Sequence, residues 1–154
     1  MKWISHKIIT LSFVFLATND PVASLISALG STFPDYIEGY HKGRIPKYHR
    51  TLSHWFVWYI ILTAFFFLLA KGNVSLKEFN FINFNMYSIA FWYFFGAFLH
   101  VIQDSITGKI PLFYPFVKNF SLKLFDTGSS YEYLLSLLML LLFLYKIFVY
   151  LKIL

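Results

Sequence analysis

His49-Arg50-Thr51-Leu52-Ser53-His54 runs directly into Trp55-Phe56-Val57-Trp58-Tyr59-Ile60-Ile61-Leu62-Thr63-Ala64-Phe65-Phe66-Phe67-Leu68-Leu69-Ala70. The first stretch is polar and carries two imidazoles, whereas the second carries no charge at all. With its flanks the apolar run is long enough to cross a hydrocarbon core of about 30 Å, and Lys71-Gly72-Asn73 closes it. Two histidines therefore stand at the entrance of a membrane helix, and the fold follows from that.

Composition supports this reading. The chain has 154 residues, 58% of them hydrophobic and 13% charged, which fits one polytopic membrane domain rather than a soluble one. The formal charge of +6 fits the positive-inside bias of cytoplasmic loops, so nucleic acid is the disfavoured partner and membrane lipid the favoured one. With no cysteine, disulfides, iron–sulfur clusters and thiolate zinc sites are excluded, and any metal must be held by imidazole and carboxylate. Oligomeric state is left open.

The expected fold is all-α, a bundle of about five helices at about 5–18, 20–33, 53–71, 86–107 and 131–152. Met1-Lys2 and the apolar run from Ile8 to Ala17 resemble a signal peptide, but Phe15 spoils the small-x-small pattern before a cleavage point, so a retained helix is expected. Asp20 caps the second helix, Pro21 opens it and Pro34 ends it. At about 20 Å each, the first two helices are short against the bilayer. Gly108 and Pro111 close the aromatic-rich fourth helix, and the leucine-rich fifth spans.

Up-and-down threading puts the N-terminus and the 32–54 and 108–130 loops on one side, with most of the lysines and arginines. That side is expected to be cytoplasmic. The same threading gathers His6, Asp35, His49, His54, His100, Asp104 and Glu132 at one membrane face. His100 and Asp104, four apart on a helix, can converge on one ion, or Asp104 can orient the imidazole. Ionisable groups at a bilayer are costly unless paired, wet or bound to an ion, so the cluster reads as a metal site.

Plainer readings exist for each residue. His6 alone suits an interfacial histidine, Asp35 a turn after Pro34, and His41 a solvated loop. His49 and His54 suit anchors beside Trp55, His100 and Asp104 a hydrogen-bonded helix end, and Glu132 a helix N-terminus. Arg44 and Arg50 suit either phosphate binding or the positive-inside bias.

The residues also carry a resemblance. Leu29-Gly30-Ser31-Thr32-Phe33-Pro34-Asp35, His49-Arg50-Thr51-Leu52-Ser53-His54 and His100-Val101-Ile102-Gln103-Asp104-Ser105-Ile106-Thr107 follow a histidine near the start. Pro111 to Pro115 and Gly128-Ser129-Ser130-Tyr131-Glu132 come after them. In that order they resemble the YdjM-like family of membrane-bound metal-dependent hydrolases, over most of the chain from His6 to Glu132. That family is similar to the all-helical zinc-dependent phospholipase C and single-strand nuclease group, which implies one to three zinc ions and phosphodiester hydrolysis. Where members of the family often read Pro-Asp-x-Asp-His, this chain has Pro34-Asp35-Tyr36-Ile37-Glu38. Either Glu38 substitutes or one metal position is lost.

The expected function is thus an inner-membrane hydrolase of a lipid phosphoester at the cytoplasmic face. His6, Asp35, His49, His54, His100, Asp104 and Glu132 are its candidate zinc ligands, and Arg50, Glu132 and Asp35 its candidate catalytic residues. The alternative is a membrane protein whose metal is structural or carried.

Overall fold

The structure is a computed structural model that describes residues 1–39, 50–70 and 85–151. Every regular element among them is helical: α1 Trp3–Thr18, α2 Pro21–Gly30, the single-turn α3 Phe33–Ile37, a 3-10 turn Leu52–His54, α4 Phe56–Leu69, α5 Met86–Thr107 and α6 Ser130–Tyr150. The all-α bundle expected from composition is present, with five principal helices and α3 as an extra turn.

Local chemistry sets the boundaries. α1 stops at Asn19, whose φ of 56° is left-handed, a conformation Asn tolerates. The Asp20 carboxylate then accepts the Val22 and Ala23 N–H groups at 2.8 and 3.0 Å, with Pro21 in the first turn. The helix expected over 20–33 is broken after Gly30, because Pro34 has no N–H to give and its ring crowds the carbonyl four residues back. Similarly, the helix expected from residue 53 begins only at Phe56. Trp55 is extended, and the 3-10 turn before it aims His54 into the bundle.

α5 and α6, of 22 and 21 residues, are long and apolar enough to cross a membrane. α4, expected to span with its flanks, has 14 residues, about 21 Å at 1.5 Å per residue.

The helices pack in series: α4 on α5, α5 on α2, α2 on α1 and α1 on α6. At the α2–α5 crossing a Cβ on Gly30 would collide with the Tyr93 carbonyl, and one on Gly96 with the Ser27 carbonyl. Small residues allow backbones this close, as membrane helix pairs require. Ser27 Oγ crosses the seam to the Trp92 carbonyl at 2.9 Å. Val14, Ala23, Phe91 and Trp92 form one apolar cluster, and Tyr59, Ala97, Val101 and Ile110 another. Leucines of α6 such as Leu134, Leu138 and Leu141 point outward, as expected of a helix that meets lipid.

Beyond α5 the chain folds back over its end. Ile110 and Phe120 exchange backbone hydrogen bonds, and the Leu122 and Leu124 N–H groups reach the Ser105 and Ile106 carbonyls at 2.8 Å each. These bonds satisfy carbonyls that a helix terminus otherwise leaves open, and they steady the turn that carries Asp104.

Candidate metal centre

Asp35 from α3, His54 from the 3-10 turn, and His100 and Asp104 from α5 each bring one ligand atom into a group lying within 4.8 Å of one another. All four residues are buried, with relative exposures of 4%, 0%, 0% and 1%. His54 Nε2 stands 3.4 Å from Asp35 Oδ1 and 3.3 Å from Asp104 Oδ2. His100 Nε2 is 3.7 and 3.6 Å from the same two oxygens, and the two Nε2 atoms are 3.1 Å apart.

The surrounding hydrogen bonds decide what these atoms can be. His100 Nδ1 meets the Ser31 carbonyl at 2.5 Å, and because a carbonyl only accepts, Nδ1 must carry the proton. His54 Nδ1 meets the Glu38 carboxylate at 3.1 Å, with Ser53 Oγ at 2.9 Å, so a neutral His54 also has its proton on Nδ1. Trp3 Nε1 donates to Asp35 Oδ2 at 2.7 Å, leaving Asp35 Oδ1 buried and turned toward His54 Nε2 at 3.4 Å. Two imidazole lone pairs and two carboxylate oxygens therefore converge, and all four are acceptors. Such a set is stable only around a cation.

In the metal-free protein a proton on His54 joins the Arg50 guanidinium on Asp104 in supplying positive charge. Burial alone would lower the His54 pKa, but its hydrogen bonds to Asp104, Asp35 and Glu38 outweigh this and raise it to about 10. Burial would likewise raise Asp35, yet the hydrogen bond from His54 and the charges of His100 and His54 hold its carboxyl below the usual value. A divalent ion would satisfy the same four atoms at once, and two imidazole nitrogens with two carboxylate oxygens suit a borderline ion such as zinc.

Further side chains hold these four in place. Glu38 Oε1 accepts the Arg50 N–H at 3.0 Å as well as the Ser53 hydroxyl, so one carboxylate ties the turn to His54. Arg50, at a left-handed φ of 58°, sends its guanidinium onto Asp104: Nη2 donates to Oδ1 at 2.8 Å and Nε stands 2.8 Å from Oδ2. His6 stacks on His100 with ring centroids 3.8 Å apart. Its Nε2 faces Asp104 Oδ1 at 3.3 Å, and its Nδ1 pairs with Gln103 Oε1 at 2.9 Å. Gln103 passes this on to Thr10 at 2.9 Å. The Met1 amine also reaches Asp104 Oδ1, at 2.6 Å.

Of the residues expected from sequence, Asp35, His54, His100 and Asp104 form the group, and His6 and Arg50 adjoin it. His49, with His41 and Arg44, lies outside the described residues. Glu132 is elsewhere, its carboxylate accepting the Lys2 and Gly128 N–H groups at 2.7 Å each and so capping the start of α1 from α6. Glu38 does not join the four but buttresses one of them. Gln103 and the Ser31 carbonyl were not expected. For Gln103 the available signal was an amide three residues after His100 in an apolar helix, whereas a backbone carbonyl leaves none.

The family described as YdjM inner membrane protein matches residues 1–153 of the chain. No curated protein and no solved structure matches.

Proposed function

Because the chain belongs to the YdjM inner membrane protein family, we propose that it is a metal-dependent hydrolase of phosphoesters, acting on a lipid phosphate at the cytoplasmic face of that membrane. The reading is carried by the acceptor-only convergence of Asp35, His54, His100 and Asp104. Zinc bound there would bring the pKa of a bound water toward about 7 and polarise a phosphoryl oxygen.

The chain's own groups have definable tasks. Glu38 fixes the tautomer and ring plane of His54, and the Ser31 carbonyl does the same for His100. Trp3 turns the Asp35 carboxylate so that Oδ1 points inward. Arg50 is a cation beside the group, 14% exposed at its side chain. Its planar fork holds Asp104 and presents positive charge where an anionic phosphate would arrive. The basic loops expected on the cytoplasmic side, with Lys109, Lys118 and Lys123 at the end of α5 that carries Asp104, support the orientation.

Full burial of all four donors supports a second reading. Four protein ligands around zinc make a closed, structural site, whereas catalytic sites keep one position for water. The deciding experiment has two stages. Metal content of the detergent-purified protein is measured by plasma mass spectrometry, with His100→Ala/Asp104→Ala as comparison. Loss of metal in the double variant is expected, and retention refutes the site. Hydrolysis of a panel of phosphomonoester and phosphodiester lipids by the loaded wild type then supports catalysis. A fully loaded protein that turns over none of them supports the structural reading.

A further inference from the structure

A cleft of about 520 Å³ lies between α3, the 3-10 turn and α4, and the metal centre makes no use of it. Phe33, Ile37, Leu52 and, four residues apart on one face of α4, Trp58 and Leu62 give it hydrocarbon walls. Tyr59 is nearly buried in its floor, held by its hydroxyl to the Ser53 carbonyl at 2.6 Å. Ile37 and Leu52 are each 51% exposed and Trp58 45%, so the cleft is open along one side.

The side toward the metal centre is the informative part. Glu38 and Ser53 line it there, and both touch His54 Nδ1. The apolar trough thus ends one side chain away from the four converging ligand atoms, and the backbone N–H of Arg50 bonds the same Glu38. The volume falls in the range of small-molecule sites. In an inner-membrane protein an open hydrocarbon trough on an apolar helix meets acyl chains rather than water.

We propose that this cleft seats one hydrocarbon chain of a phosphate-bearing lipid and so delivers the headgroup to the metal centre. The headgroup's destination rests on the hydrolase reading, whereas the chain seat rests on the cleft alone. A chain in the trough fixes depth and direction, and the anionic headgroup then lies past Glu38 and Ser53, toward the Arg50 guanidinium that pairs with Asp104.

The test uses the full-length protein in detergent with a phosphatidic acid carrying a diazirine at the end of one acyl chain. After photolysis, adducts are mapped by peptide mass spectrometry. They are expected at residues 33–37 and 58–62. Leu62→Trp, which fills the trough, is expected to lower them about tenfold, a loss in line with overpacking a fitted site, with metal content unchanged. As a measurement that needs no variant, unlabelled dodecyl phosphate should displace the label from these segments and inorganic phosphate should not. Adducts as dense on the outward leucines of α6 as in the cleft, or labelling that neither Leu62→Trp nor dodecyl phosphate reduces, would overturn the proposal. Specific labelling without any hydrolysis upholds the chain seat and removes only the catalytic reading.

Discussion

Replacing Glu38 by Gln keeps the side-chain shape and removes one charge from a carboxylate that no ligand atom needs directly. Glu38 Oε1 is the acceptor for the Arg50 N–H, the Ser53 hydroxyl and His54 Nδ1. A hydrogen bond to a charged group contributes about 1.5–3 kcal/mol and a neutral one about 0.5–1.5, so each weakens by about 1 kcal/mol and the set by about 3. Only the His54 share reaches the metal. The freed imidazole loses its enforced tautomer, and support of this kind is worth about 10–100-fold in metal affinity. The other two bonds should appear as a lower midpoint of thermal unfolding in detergent. Titration against a chromophoric chelator measures the affinity. A Glu38→Gln protein that binds its ion within about twofold of wild type, well inside that range, would refute the claim that Glu38 aims His54.

Three further outcomes are expected. Gly96→Ala sets a Cβ against the Ser27 carbonyl, so the α2–α5 seam must open at about 1–3 kcal/mol; an unchanged midpoint of thermal unfolding would contradict the crossing. Glu132→Gln weakens the two N–H bonds that join α6 to the start of α1 and should lower the unfolding midpoint while leaving metal content intact; loss of metal would return Glu132 to the ligand set. The third concerns pH. Metal-free His54 holds its second proton up to about pH 10 rather than the usual 6.5, so ion uptake must displace it. Apparent affinity should therefore climb with pH, about tenfold per unit, with a proton released that calorimetry in two buffers can count. Because the folded pKa is the raised one, the stability it lends the metal-free protein is complete below pH 6.5 and is lost as pH rises through about 10. An affinity flat in pH would refute the assignment.

The sequence revealed the helices and much of the centre for identifiable reasons. The end of α5 is legible because Gly108 follows Thr107, a local signal. His100 and Asp104 were readable as partners because a four-residue spacing on a helix is itself a distance. Asp35 and His54 needed more: a break at Ser31 and a 3-10 turn, which depend on how Pro34 and Trp55 settle against neighbouring helices. Nothing local marks Gly30 and Gly96 as the crossing point, since a close approach is a property of two helices together. Glu132 reads as a ligand candidate in the sequence because every acidic residue threaded to one face looks alike, whereas in the structure it accepts the Lys2 and Gly128 N–H groups. Which of them meets N–H groups and which meets imidazoles is fixed only by packing.

The polar side chains of α5 bear on how the protein is made. His100, Gln103 and Asp104 take their side-chain and carbonyl partners from His6, Thr10, Ser31, Asp35, Arg50 and His54, all of which precede α5 in the chain. A ribosome delivering this protein to the bilayer has therefore already released every one of these partners before the helix that depends on them emerges. α5 need never lie in lipid with an amide, an imidazole and a carboxylate uncompensated, a state that would cost several kcal/mol. Order of synthesis and order of assembly can coincide, and a circular permutant starting at Asn85 would have to insert its most polar span first.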